Sequence, residues 1–122
     1  MRSEQLISII DDDDSFRSAL VGLIRSLGYG ARGFESAEEF VQSGAMRSSA
    51  CIITDVQMPG MSGIELKRLL TKSQCTVPVI IITARTEPGL EEKALASGAV
   101  CLLRKPFKAD QLTDCLEQAL KF

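Results

Sequence analysis

Leu6-Ile-Ser-Ile-Ile10 is a run of five residues, four of them large and apolar, that stops abruptly in Asp11-Asp-Asp-Asp14. Such a run has the length of a strand and is far too short to cross a membrane. The period then changes. Phe16, Leu20, Leu23, Ile24 and Leu27 recur at helical spacing, and Gly28 stops that helix in the manner of a left-handed cap. A strand, an acidic turn, an amphipathic helix and a glycine stop make one β/α unit.

The same order recurs along the chain. A short strand around Tyr29 to Phe34 leads to Ser36-Ala-Glu-Glu39, a capping-box pattern that opens a helix through Phe40 and Val41. Ala50-Cys-Ile-Ile-Thr54 is a buried strand ended by Asp55. After the Pro59-Gly60 turn, Ile64, Leu66, Leu69 and Leu70 mark a third helix. Pro78-Val-Ile-Ile-Ile82-Thr83 reads as the next strand, Glu87-Pro88 as the start of a helix that Gly98 ends, and Ala99-Val-Cys-Leu-Leu103 as the last strand. Leu112, Cys115, Leu116, Ala119 and Leu120 form the apolar face of a closing helix. Five β/α units with continuously apolar strands require a parallel sheet covered on both faces. With no repeat, linker or low-complexity tract between them, residues 1–122 read as one doubly wound α/β domain.

Composition narrows the function. A chain of 122 residues can bury about two-thirds of its unfolded surface, enough for a real core. With 14 basic against 16 acidic residues it lacks the basic excess of a dedicated nucleic-acid or membrane-surface binder. It contains no histidine, which removes imidazole acid–base catalysis, Ser-His and Cys-His nucleophiles and imidazole metal sites. Chemistry must rest on carboxylates, hydroxyls, amines and thiols. Cys51, Cys75, Cys101 and Cys115 are widely spaced, without a C-x-x-C pair, and read as small hydrophobes rather than zinc ligands. They are expected to be reduced and the compartment cytoplasmic. Met1 to Gln5 has no signal-peptide character.

In open parallel sheets, ligands bind beyond the carboxyl ends of the strands. The residues that end the strands are Asp11 and Asp12, Asp55, Thr83, and Lys105 before Pro106. Three carboxylates, a hydroxyl and an amine converge on one rim. Carboxylates so placed repel one another unless a cation joins them. An all-oxygen site without His or Cys suits Mg²⁺, with Mn²⁺ as an alternative, sharing its sphere with a phosphate. Thr83 and Lys105 would face the other phosphoryl oxygens. The rim reads as a Mg²⁺-assisted phosphoryl-transfer site with a carboxylate nucleophile.

At these residues the sequence resembles the receiver domains of bacterial two-component response regulators. The resemblance is carried by Ile10-Asp11-Asp12-Asp13, Asp55-Val-Gln-Met-Pro59-Gly-Met-Ser-Gly63, Ile82-Thr83-Ala84 and Lys105-Pro106-Phe107, in order along nearly the whole chain. It implies a flavodoxin-like strand order 2-1-3-4-5. It also implies a phosphoacceptor, Asp55, that takes a phosphoryl group from a phosphohistidine on a sensor histidine kinase or a histidine phosphotransfer protein. Asp12, Asp55 and the Gln57 carbonyl would bind Mg²⁺, with Asp11 acting largely through water. Thr83 and Lys105 would touch the phosphoryl oxygens, and Lys105-Pro106 would be a cis peptide. Such a protein is a signalling module that assists its own phosphorylation and dephosphorylation, not an enzyme in the ordinary sense. The surroundings resemble the FixJ/NarL-like receivers that regulate transcription through a C-terminal helix-turn-helix domain. No such domain is expected before Phe122, so this domain would not itself bind nucleic acid or a membrane.

In that family a switch threonine, here Thr83, moves with an aromatic residue of the fifth strand and remodels the surface of the fourth helix, fifth strand and fifth helix. The aromatic position is Leu102 in this sequence. The switch is therefore expected to run through packing of Leu90, Leu95 and Leu102, with homodimerisation on phosphorylation as an output.

Other readings are weaker. Gly28-Tyr-Gly30-Ala-Arg-Gly33 matches G-x-G-x-x-G, but it follows a helix and enters a strand, the reverse of a dinucleotide site. Asp11-x-Asp13-x-Ser15 resembles the opening of haloacid-dehalogenase-type phosphatases, which would make Asp11 the nucleophile. A degenerate, unphosphorylated interaction module is the third alternative. Asp13 and Asp14 are expected to be solvated, with Asp14 or Ser15 capping the first helix.

Overall fold

The structure is a computed structural model that describes residues 5–84 and 87–120. Five strands, β1 (Leu6–Ile10), β2 (Gly30–Phe34), β3 (Cys51–Asp55), β4 (Val79–Thr83) and β5 (Cys101–Arg104), form a parallel sheet in the order β2-β1-β3-β4-β5. This is the doubly wound arrangement and strand order expected from the sequence. Between them run the helices α1 (Asp14–Ser26), α2 (Ala37–Ser43), α3 (Gly63–Lys72) and α4 (Leu90–Ala96), and α5 (Ala109–Leu120) closes the chain. A short 3-10 turn, Ala45–Arg47, follows α2.

The alternation of side chains along each strand divides the core in two. Ile10, Ile52 and Ile81 face Phe40, Leu66, Leu70, Leu90 and Ala94 on one side. Ile7, Ile9, Ile53, Ile80 and Ile82 face Leu20, Ile24, Leu112 and Leu116 on the other. β3 and β4 are buried at every position, which is why their sequences read as unbroken apolar runs.

Three expectations are corrected. Asp13, not Asp14 or Ser15, caps α1, its carboxylate accepting the Phe16 N–H at 3.1 Å. Asp14 lies in the first helical turn and pairs with Arg17 at 2.6 Å. The fourth helix begins at Leu90, because Gly89 adopts φ 82° and separates Glu87-Pro88 from the helical turns. The four cysteines are not all reduced: Cys101 and Cys115 form a disulfide, while Cys51 and Cys75 are free. β5 brings Cys101 under α5 with its Cα 6.1 Å from that of Cys115, a spacing that sequence separation does not reveal. No helix among the described residues is long and apolar enough to cross a membrane.

Candidate functional site

The site grows out of the way β1 stops. Asp11 continues the strand by one backbone bond, its N–H donating to the Phe34 carbonyl at 3.1 Å, and is fully buried. Its Oδ1 accepts the Asp13 N–H at 2.9 Å, which turns the chain into α1. The Arg17 guanidinium reaches back from the helix to the Asp11 carbonyl at 2.8 Å while its other arm holds Asp14. Between these fixed points Asp12 is exposed. The four aspartates thus have four environments: a buried anchor, an open carboxylate, a helix cap and a helical ion pair.

Asp55 ends β3 with its side chain nearly enclosed. Its Oδ1 accepts the Gln57 N–H at 3.2 Å. The loop after it returns at once: Val56 N–H donates to the Ile82 carbonyl and Gly63 N–H to the Val56 carbonyl, each at 3.0 Å. Ser62 and Glu65 then form a reciprocal capping box that opens α3. Gly63 is there because the backbone passes too close for anything larger. A Cβ on it would collide with the Asp55 carbonyl oxygen. Farther out, the exposed Glu38 carboxylate accepts the Met61 N–H at 2.8 Å, a bond that holds its pKa below the usual value.

Thr83 is fully buried at the end of β4, and its carbonyl accepts the Lys105 N–H at 2.8 Å. Lys105 follows β5, and the Lys105-Pro106 peptide is cis. Its Nζ lies 2.9 Å from Asp11 Oδ2 and 3.2 Å from Asp55 Oδ2, bridging the two strands. The same ammonium sits 4.0 Å from the centre of the Phe16 ring, which packs edge-on against Phe107. Leu102 pairs with Ile81 in the sheet and packs half-buried against the cluster that contains Leu90. Leu95, expected in that packing, is 45% exposed instead. Leu90 and Ala94 are the residues that α4 buries.

Asp11, Asp12, Asp55, Thr83 and Lys105 are therefore gathered at the carboxyl edge of the sheet, with Gln57 beside Asp55. Arg17, Phe16 and Gly63 complete the support. Arg17 is foreshadowed by the i, i+3 spacing from Asp14, and Phe16 reads in the sequence only as one more apolar helical position.

Burial raises the Asp55 pKa above its ordinary value; the Lys105 charge opposes this and the Asp11 charge adds to it. For Lys105, burial works to lower the pKa, but the hydrogen bond to Asp11 and the charges of Asp55 and Asp11 outweigh it and the net shift is upward. The oxygens of Asp11, Asp12 and Asp55 lie within 4.8 Å of one another. Three carboxylates against one ammonium leave two negative charges in excess, and among the described residues the clustered ligand atoms are all carboxylate oxygens. That donor set fits a hard divalent cation such as Mg²⁺ or Mn²⁺.

The family described as the response regulator receiver domain matches residues 7–117. The chain belongs to that family. It is 36% identical over 121 residues to the transcriptional regulatory protein FixJ of Bradyrhizobium diazoefficiens, covering 99% of this chain and 59% of that protein. It is 35% identical over 118 residues to the response regulator protein TmoT of Ectopseudomonas mendocina, covering 97% of this chain and 54% of that one. The receiver thus spans little more than half the length of these curated relatives. Among solved structures it resembles the response regulator StyR, with a TM-score of 0.89 and 36% identity over 97% of this chain and 60% of that one. It also resembles a response regulator receiver protein from Burkholderia phymatum, with a TM-score of 0.83 and 40% identity over 95% of this chain and 94% of that one.

Two expectations follow for the receiver itself. Gly63→Ala forces the end of β3 away from its position and lowers the unfolding free energy by about 1–3 kcal/mol, measured in urea. The second concerns pH. Because the folded Asp55 pKa is raised, the native state binds more protons than the unfolded chain from about pH 4 up to that raised value. Stability contributed by this group falls as pH rises through that window, and ionised Asp55 costs stability at neutral pH. In metal-free buffer, Asp55→Asn is expected to melt higher at pH 7, by on the order of a few degrees, with the difference vanishing below about pH 4. Lys105 has the opposite sign: its stabilisation is complete below about pH 10.4 and is lost as pH climbs through its raised folded value. Thermal melts across pH read both limbs.

Proposed function

We infer that this receiver is a phosphoacceptor in two-component signalling, with Asp55 as the residue that takes the phosphoryl group. The observation that carries the reading is the Asp55 carboxylate set between the Lys105 ammonium and the Asp11–Asp12 pair, at the open edge of the sheet. The donor is a phosphohistidine of a sensor histidine kinase or histidine phosphotransfer protein, since this chain has no histidine of its own. An Asp55 oxygen forms a bond to phosphorus while the P–N bond breaks. The imidazole takes the electron pair and, protonated on its other nitrogen, leaves neutral.

Asp11, Asp12, Asp55 and the Gln57 carbonyl are the residues that would hold Mg²⁺. A divalent cation there supplies charge neutralisation for phosphoryl oxygens that two or three carboxylates would otherwise repel. Lys105 opposes the upward pull of burial on the Asp55 pKa and offers its donors to an incoming phosphoryl oxygen. Thr83 offers a hydroxyl from the end of β4. Gln57 N–H fixes one carboxylate oxygen and so orients the other.

Phosphorylation adds about −1.5 to −2 charge and three acceptor oxygens beside Thr83 and Lys105. Both residues are joined to β5, and Leu102 packs from that strand against the α4 side of the core. A shift in that packing would carry the signal to the α4–β5–α5 surface, with dimerisation and control of a transcription-regulating output as its result.

Incubation with Mg²⁺ and acetyl phosphate is expected to place an acid-labile phosphoryl group on Asp55, seen by mass spectrometry and lost in Asp55→Asn. Label on Asp11 with continuing hydrolysis of phosphate esters would replace this reading with the phosphatase. Absence of label with every donor would replace it with an unphosphorylated interaction module. Leu102→Ala is expected to keep the label and lose phosphorylation-dependent self-association, measured by size-exclusion chromatography with light scattering.

A further inference from the structure

We propose that Cys101 and Cys115 form a reversible thiol–disulfide site, closed by low-molecular-weight disulfides of the glutathione class and opened by thiols, that fastens α5 to β5. Cys101 begins the edge strand β5 and is half-buried, whereas Cys115 lies on the inner face of α5 with 6% exposure. Their Cα atoms stand 6.1 Å apart, within the span of roughly 4.4–6.8 Å that a disulfide bridges without backbone movement.

The open form is provided for as well. Gln118, almost one turn beyond Cys115 on α5, places Oε1 3.1 Å from the Cys101 sulfur, where it accepts the S–H of a reduced Cys101. Docking of α5 does not depend on the bond, because Leu112, Leu116 and Ala119 are buried in the same cluster. Cys115 itself fits there as a small hydrophobe in either state. Neither of the two remaining cysteines is paired in the structure. Cys51 is fully buried in β3, and burial pushes its thiol up to about 12. Cys75 packs against the other face of the sheet, its sulfur 3.6 Å from the Met46 carbonyl.

Exposure sets the order of events. The Cys101 thiolate attacks one sulfur of the small disulfide RSSR, forming a mixed disulfide and releasing RS⁻. The Cys115 thiolate then attacks the Cys101 sulfur and expels the second RS⁻. In sum, the protein dithiol and RSSR give the protein disulfide and two RSH. Two electrons leave the cysteine pair, and its two protons end on the two RSH molecules. The reverse begins when an external thiolate attacks the accessible Cys101 sulfur and Cys115 departs. None of these steps requires Asp55 or a phosphoryl group, so this site stands or falls apart from the phosphoacceptor reading.

The test equilibrates the wild-type domain in buffers of graded oxidised to reduced glutathione, quenches with acid, and alkylates the denatured protein for intact-mass and peptide analysis. Of the four cysteines, two are expected to lose alkylation as the ratio rises, linked as one Cys101–Cys115 peptide pair. Dithiothreitol should restore all four with the far-ultraviolet circular dichroism unchanged. The closed loop spans a sequence separation of 14, so the oxidised domain should have an unfolding constant smaller by on the order of a hundredfold. Cys115→Ser and Cys115→Ala should both stall at a mixed disulfide on Cys101. The proposal is overturned if Cys101 and Cys115 stay alkylatable at the most oxidising ratio, if the exchange falls on Cys51 or Cys75 instead, or if reduction unfolds the domain.

Discussion

Two carboxylates buried at the ends of adjacent strands are the constraint on which the carboxyl edge of this sheet depends. Asp11 follows β1 and Asp55 ends β3, and in a medium of low dielectric they repel one another strongly. The Lys105 ammonium, within 3.2 Å of both, is what allows β1, β3 and β5 to end at one place. Removing that lysine would leave both acids uncompensated, typically a loss of about 3–5 kcal/mol when such a buried pairing is broken. The lysine is in turn positioned from several sides. The Thr83 carbonyl binds its N–H, the Phe16 ring lies under its Nζ, and Phe107 supports that ring.

The balance at this edge is incomplete by design of the sequence rather than by accident of packing. A hydrophobic residue at Asp12 or Asp55 would relieve repulsion and raise stability, yet the chain retains both acids and supplies one cation. The surrounding backbone is arranged to tolerate the charge. Asp11 Oδ1 receives the Asp13 N–H, Asp55 Oδ1 the Gln57 N–H, and Arg17 binds the carbonyl of Asp11. Each of these bonds also fixes a turn, so the same contacts that satisfy the acids aim them. A second cation entering here would meet oxygens already oriented, which is how a site avoids spending binding energy on reorganisation.

The fold was legible because its signals are local. Leu6 to Asp11 and Ala50 to Asp55 each announce a buried strand and its end, and Gly28 and Gly98, both at positive φ, mark helix stops. The rim was legible for a related reason: in a parallel sheet the residue after each strand is a placement, so Asp11, Asp55, Thr83 and Lys105 could be assembled without coordinates. What escaped depends on choices that one-dimensional order leaves degenerate. In a run of four aspartates any of the last three can cap a helix, and the selection of Asp13 follows from the turn that Asp11 imposes. The start of α4 was missed because Pro88 suits a first helical turn, but Gly89 in its left-handed conformation delays it. The pairing of Cys101 with Cys115 needs the crossing of α5 over β5, and no periodicity encodes that crossing.

β5 shows how one short strand can serve several neighbours at once. As the edge of the sheet it pairs only with β4, so both its faces are given to helices. Cys101 and Leu103 join the cluster under α1 and α5, while Leu102 joins the one that includes Leu90 and Ala94 of α4. Arg104 extends to Glu91 of α4 at 3.5 Å, an exposed pair that guides more than it stabilises. The next residue, Lys105, enters the acidic site. A displacement of Lys105 therefore pulls on a strand whose alternate residues grip different helices. At position 102 a leucine, rather than a bulky aromatic, fills the α4 side of this strand. The disulfide acts on the other face of the same strand, through α5, so the two influences reach β5 from opposite sides of the sheet.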